Sequence, residues 1–237
     1  MQHGTQSVVI QPEFRKRDIR SYVIRGGRMT EGQQSAFARY WPVYGLSIDH
    51  GQISTQSIFG NSNPLVVEIG YGMGDSLLEM AIAGPELNFL GIEVHPPGVG
   101  RLINEAGKRQ LPNIRTYCAD AIDVLSDCLA QGCVDRVQLF FPDPWHKKKH
   151  HKRRIVQPAF IELVAKCLKA DGVFHLCTDW QPYAQQMMEE MSASDKFRNC
   201  AGEGQYSSRP SYRPVTKFER RGERLGHGVW DLLFSKK

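Results

Sequence analysis

Leu65-Val66-Val67-Glu68-Ile69-Gly70-Tyr71-Gly72-Met73-Gly74-Asp75 is a short apolar run that enters a glycine-rich loop and leaves it at an acid. Leu65–Ile69 has the length and composition of a buried strand, and Asp75–Ala83 the pattern of a helix with an acid in its first turn. Glycines at 70, 72 and 74 let the chain turn sharply and approach a ligand closely. Their spacing differs from the first, third and sixth positions of a dinucleotide-binding turn. A carboxylate before the loop, Glu68, opposes a pyrophosphate and suits a ligand bearing an ammonium group. A tight turn beside a surface glutamate is the plainer alternative.

The same alternation of strand and helix continues outward. Residues 89–94, 114–119, 134–141, 172–178 and 228–234 read as strands. Residues 31–44, 97–110, 121–130, 155–168 and 182–192 read as helices, with Pro158 in a first turn, where proline is tolerated. This order predicts an α/β, Rossmann-like fold: a mostly parallel sheet with helices on both faces and ligands at the carboxyl ends of the strands. Residues 1–28 lack apolar periodicity and are rich in Gln, Arg and Gly, which predicts a flexible basic N-terminal arm ahead of a single domain over 29–237.

Acids recur at the predicted strand ends. Glu93 closes the second strand, where a carboxylate can accept both ribose hydroxyls of a nucleoside. Asp120 closes the third and can accept from an adenine amino group, although it is equally placed to cap the following helix. With Glu68 and the glycine loop, these residues describe a pocket for an adenosine with a cationic, phosphate-free tail. S-adenosylmethionine meets that description.

Phe140-Phe141-Pro142-Asp143-Pro144-Trp145 follows the fourth strand and sets a carboxylate between two prolines. Next comes His146-Lys147-Lys148-Lys149-His150-His151-Lys152-Arg153-Arg154, with six Lys/Arg and no acid. Residues 1–40 and 213–237 each carry seven Lys/Arg against three acids. The net charge of the 237-residue chain is only +5, so the remaining body is acidic. Basic tails and a basic loop on an acidic body are a nucleic-acid footprint. Six cysteines without Cys-x-x-Cys spacing read as reduced thiols. Lysines around His146, His150 and His151 argue against a metal. No apolar run is long enough to cross a bilayer, and the N-terminus lacks a secretory pattern, so a cytoplasmic protein is expected.

Beyond these residue-level readings, the chain resembles the bacterial tRNA (guanine-N7)-methyltransferase family. The likeness is carried by Glu68–Asp75, Gly91–His95, Phe140–Trp145 with the basic run to Arg154, Thr178-Asp179-Trp180, Pro214–Glu219 and Gly226–Asp231, and extends over roughly residues 25–237. The resemblance implies a class I methyltransferase fold, S-adenosylmethionine as cofactor, and 7-methylguanosine in the tRNA variable loop as product. It implies Glu68, Gly70, Gly72, Gly74, Glu93, Asp120 and Asp143 as cofactor-binding positions, with Asp143 catalytic. It implies Lys147, Asp179, Thr216, Lys217, Phe218 and Glu219 as substrate-binding positions. Lys149, His150, His151, Lys152, Arg153 and Arg154 become the RNA-contacting stretch.

Guanine N7 carries a lone pair and needs no deprotonation, so alignment and charge stabilisation are what an enzyme must supply. A guanosine turned out of its stack and an aromatic near the site, Trp145 or Phe218, are expected. Both rings are equally plausible as core. Other readings stay open on the residues alone. These are a methyltransferase acting on an RNA or protein amine, and a non-catalytic RNA-binding module. Monomer and homodimer are both compatible with the sequence.

Overall fold

In the computed structural model, residues 19–23, 29–215, 219 and 228–237 are described. Eight strands form one sheet: β1 (Gly45–Leu46), β2 (Leu65–Ile69), β3 (Asn88–Glu93), β4 (Ile114–Cys118), β5 (Val134–Phe140), β6 (Leu168–Thr178), β7 (Phe197–Asn199) and β8 (Trp230–Lys236). Their order is β1-β4-β3-β2-β5-β6-β8-β7. All pairs from β1 to β6 are parallel, while β8 runs antiparallel to both β6 and β7. The chain builds outward from β2 through β3 and β4, then returns to the other side of β2 with β5. The β2–β5 boundary is therefore the switch point, where a crevice opens beyond the carboxyl ends.

Helices cover both faces. Against one lie α1 (Glu31–Tyr44), α3 (Asp75–Ala83) and α4 (Pro96–Arg109), with Phe37, Leu77, Leu102 and Val66 buried together. Against the other lie α5 (Ala121–Asp123), α6 (Pro158–Cys167) and α7 (Gln181–Ala193), with Leu125, Phe160, Tyr183 and Val67. A short α2 (Thr55–Phe59) precedes β2. All five residues of β2 are buried, as expected of a strand covered on both sides. Side chains alternate across a strand. Leu65, Val67 and Ile69 therefore face α5–α7, while Val66 and Glu68 point toward α3. A carboxylate is thus driven into the interior by register.

Three elements depart from the pattern reading. The predicted helix over 121–130 is one α-turn followed by a wider π-helical turn, Val124–Cys128. The Cys167 thiol donates to the Leu125 carbonyl at 3.3 Å, drawing that oxygen out of the regular ladder. Helix α6 starts at Pro158 rather than Ile155, since proline lacks an N–H and suits the first helical position. Strand β6 begins at Leu168, four residues before the predicted start, and reaches its long run through Asp171 at φ 59°.

Candidate active site

The glycine loop is held from two sides. Gly70, Gly72 and Gly74 have φ of 73°, 60° and 77°, a region where L side chains are strained. The Gly72 N–H donates to Glu93 Oε2 at 2.7 Å. Glu93 Oε1 accepts from the N–H groups of Val94 and His95 at 2.7 and 3.0 Å. From α4, Arg101 donates to the Met73 carbonyl and to Asp75. Gly98 touches the loop directly: a Cβ there would stand 2.1 Å from the Gly72 carbonyl oxygen. Burial pushes the Glu93 carboxyl up, and the three backbone hydrogen bonds oppose that rise. Glu93, expected to accept ribose hydroxyls, has a second task in the loop itself. It first organises the loop, which uses three of roughly four acceptor positions.

Glu68 is 2% exposed. Its Oε1 lies 3.4 Å from the Ser76 hydroxyl, and its Oε2 has no hydrogen-bond partner among the described residues. Burial drives its carboxyl up to about 8; Ser76 opposes this and the charge of Glu93 adds to it. An orphaned buried carboxyl oxygen is costly and marks a place built for a donor or cation.

Asp120 caps α5, accepting from the Ile122 N–H at 3.0 Å. Its other oxygen accepts from the Tyr22 hydroxyl at 3.2 Å. Tyr22 falls within the stretch expected to be a flexible arm, of which residues 19–23 are described. Arg153 donates from Nε to the Arg20 carbonyl at 2.9 Å and from Nη2 to the Tyr22 carbonyl at 3.0 Å. Trp145 Nε1 donates to the Ser21 carbonyl at 3.1 Å. Residues 20–22 thus bridge the end of β4 and the basic loop.

Asp143 is exposed and follows β5. The aromatic residues on either side of Pro142-Asp143-Pro144 are both left-handed, Phe141 at φ 51° and Trp145 at φ 46°. Such conformations persist only where surrounding contacts impose them. The Phe141 N–H donates to the Cys177 carbonyl at 2.8 Å, and the Arg153 guanidinium lies 3.9 Å from the Trp145 ring centroid. Trp145 therefore has its N–H and one ring face taken by the protein. The charge of Asp143 raises Glu93, and that of Glu93 raises Glu68, so the three carboxyls share one electrostatic neighbourhood. Asp120, Glu93, Glu68, Asp143 and the exposed Asp179 lie at or beside the ends of the adjacent strands β4, β3, β2, β5 and β6. At about 4.8 Å per strand, that row spans roughly 19 Å.

The basic run divides by burial. Lys147, Lys148, Lys149 and Lys152 are exposed along a 3-10 turn, Lys148–Arg153, with His150 and His151 half-buried among them. Arg154, read as an RNA contact, is 3% exposed. It donates to the Pro144 carbonyl and to Gln186, and it lies over the Tyr183 ring, so it faces the interior. Arg153 is half-buried and spends its guanidinium on residues 20–22 and Trp145. Both arginines, expected at the RNA interface, hydrogen-bond within the protein and support the loop. Beside them an open groove of about 470 Å³ is lined by His151, Lys152, Gln157, Gln186 and Glu189 among others, and by none of the strand-end carboxylates. Glu219, expected to meet substrate, engages Arg213. It is 3% exposed and holds Arg213 through both oxygens at 2.7 and 2.8 Å. Thr216, Lys217 and Phe218 lie outside the described residues.

Sequence reading missed Tyr22, Ser76 and Arg213. Tyr22 sits in a polar stretch without periodicity. Ser76 is signalled only by its place as the second residue of the helix that covers Glu68. Nothing local distinguishes Arg213 from a surface arginine.

A glycine loop after the central strand, acids along neighbouring strand ends and this sheet order define a class I methyltransferase. The 16S rRNA methyltransferase KamB superimposes with a TM-score of 0.58 at 14% identity, over 78% of this chain and 95% of that one. A 30S ribosomal A1408 methyltransferase from an uncultured bacterium gives 0.50 at 14%, over 81% and 95%. At such identities the likeness is one of fold. A family model described as "Putative methyltransferase" matches residues 62–232. The tRNA (guanine-N(7)-)-methyltransferase of Saccharophagus degradans is 63% identical over 96% of this chain and 99% of its own length. That of Marinobacter nauticus is 55% identical over 98% and 97%. The chain belongs to the tRNA (guanine-N(7)-)-methyltransferase family.

Proposed function

We propose that this protein methylates guanine N7 in the variable loop of tRNA, using S-adenosylmethionine. The observation that carries the reading is the row of strand-end carboxyls around the glycine loop, in a chain similar over nearly its whole length to proteins named for that activity. The unpartnered Glu68 Oε2 fits an amino-acid ammonium, the acceptor position left on Glu93 suits ribose, and the Asp120 carboxylate at the next strand end suits adenine. S-adenosylmethionine, held by Glu68, Glu93 and Asp120, would supply a methyl on positive sulfur to the guanine N7 lone pair, the carbon–sulfur electron pair staying on sulfur and the positive charge passing to the purine.

The protein's own residues do the rest. Asp143, held by its two prolines and left-handed flanks, offers a carboxylate to the charge that develops on guanine. It needs to remove no proton from N7. Asp143 or Asp179 accepts from the guanine N1–H and amino groups, which selects guanine over adenine. Lys147, Lys148, Lys149 and Lys152 hold phosphates at the rim. No helix among the described residues is long and apolar enough to cross a membrane.

The test is incubation with methyl-labelled cofactor and unmodified tRNA, followed by nucleoside analysis and aniline cleavage after reduction. Label in 7-methylguanosine with cleavage in the variable loop is expected. Label in another nucleoside, or in protein, would overturn the reading.

A further inference from the structure

Arg213 is the largest fully buried side chain of the described residues, at 1% exposure. Its Nε and Nη2 donate to the two oxygens of Asp231 at 2.7 and 2.9 Å. Its Nη1 and Nη2 donate to the two oxygens of Glu219 at 2.7 and 2.8 Å. Two carboxylates thus hold one guanidinium bidentately from two sides, and they fix its plane. The network continues inward. His175 Nε2 lies 2.7 Å from Asp231 Oδ1, and His175 Nδ1 lies 3.0 Å from the Tyr212 hydroxyl. If the hydroxyl donates to Nδ1, Nε2–H is left to donate to Asp231.

Such a cluster is an expensive way to fill space, since well-packed apolar residues often serve as well or better. Its position suggests why it is there. Asp231 of β8 is in register with Cys177 of β6, and Cys177 is in register with Phe140 of β5. The Cys177 carbonyl receives the Phe141 N–H. The Arg213 guanidinium lies 6.0 and 5.9 Å from the ring centroids of Phe140 and Phe141, and the His175 ring meets Phe140 edge-on at 4.8 Å. Phe141 is the left-handed residue that turns the chain into Pro142-Asp143.

We propose that Arg213 is a positioning residue for the methyl transfer: clamped by Asp231 and Glu219, it seats Phe140 and Phe141 and thereby aims the Asp143 carboxylate. This rests on the proposed role of Asp143 and adds a device that acts through it. It also gives Glu219 a role as half of a clamp. Lysine cannot reproduce the planar two-sided hold.

The experiment is a double-mutant cycle on the full-length chain with unmodified tRNA. Arg213→Lys and Glu219→Gln are each combined with Asp143→Asn, and kcat, tRNA KM, cofactor Kd and Tm are read for every protein. The expected result is a kcat roughly 10–100-fold lower in each clamp variant. KM and cofactor Kd should stay within about threefold, with no further loss once Asp143 is already Asn. Losses that multiply with Asp143→Asn, or cofactor affinity that falls in parallel with kcat, would overturn the proposal and leave the cluster purely structural. Glu219→Gln keeps the shape of the side chain, so it reports even if Arg213→Lys does not fold. Should the wild type fail to make 7-methylguanosine, the proposed function fails instead, and the cycle shows the two cases apart.

Discussion

Arg154 Nε donates to the carbonyl oxygen of Pro144 at 2.8 Å, tying the last residue of the basic run to the proline that follows Asp143. The contrast with Lys152, two residues earlier and exposed, gives opposite expectations for the two side chains. Arg154→Ala strips partners from Pro144 and Gln186 in a buried setting. A loss of about 2–3 kcal/mol in urea unfolding is expected. Replacing Lys147, Lys148, Lys149 and Lys152 together should leave unfolding unchanged. In filter-binding titrations it should flatten the dependence of log affinity on log salt by about 3, if each lysine holds one phosphate. An unchanged slope would remove the exposed lysines from the RNA grip.

Glu68 predicts a pH dependence. Its folded-state carboxyl is raised to about 8, against about 4.3 in an unfolded chain. The folded protein therefore keeps a proton that the unfolded chain releases. The stability this confers is complete below about pH 4.3 and is lost as pH rises through about 8. Glu68→Gln should remove that slope and be the more stable protein at pH 8. Binding of a cationic tail should release the proton, so cofactor Kd should fall by up to about tenfold per pH unit between 6 and 8. Calorimetry on wild type and Glu68→Gln subtracts the cofactor's own titration. Parallel pH profiles for the two proteins would show that Glu68 does not meet the ammonium.

Gly98→Ala tests the seat of the loop. The added methyl would stand 2.1 Å from the Gly72 carbonyl, so α4 or the loop must move. Since Gly72 is bonded to Glu93, cofactor affinity should drop about tenfold or more, with far-UV circular dichroism unchanged. Normal affinity would mean that the loop tolerates the shift.

Asp143→Ala should abolish most turnover, by roughly 100–1,000-fold, as expected for loss of a charge-stabilising group. The side chain is exposed, so unfolding should shift by no more than about 0.5 kcal/mol. Single-turnover kinetics and a thermal melt check both halves. Near-normal transfer would take Asp143 out of the chemistry.

Much of the sheet is readable from local pattern. The β2 assignment over Leu65–Ile69 and the α3 assignment over Asp75–Ala83 coincide with the observed elements, because a buried parallel strand is continuously apolar and its helix begins at an acid. The short β1, α2 and β7 carry too few residues to show a period. The antiparallel placement of β8 depends on sheet partners far away in the chain. In the site, strand-end acids can be located by their position after apolar runs. Which of them is spent internally cannot, since one donor to Glu93, the Gly72 N–H, comes from a loop 21 positions earlier.

Apolar alternation, three glycines after the first long strand, a carboxylate between two prolines and a block of lysines are properties of neighbours along the chain. From them follow the α/β class and the expectations of chemistry at the strand ends and of a polyanionic partner. Burial is a property of neighbours in space. Only the folded molecule turns Arg154 inward and Lys152 outward, leaves one oxygen of Glu68 without a donor, and closes Glu219 and Asp231 around Arg213. The reason is that burying a charge depends on which distant groups arrive to hydrogen-bond it, and no local stretch of sequence specifies them.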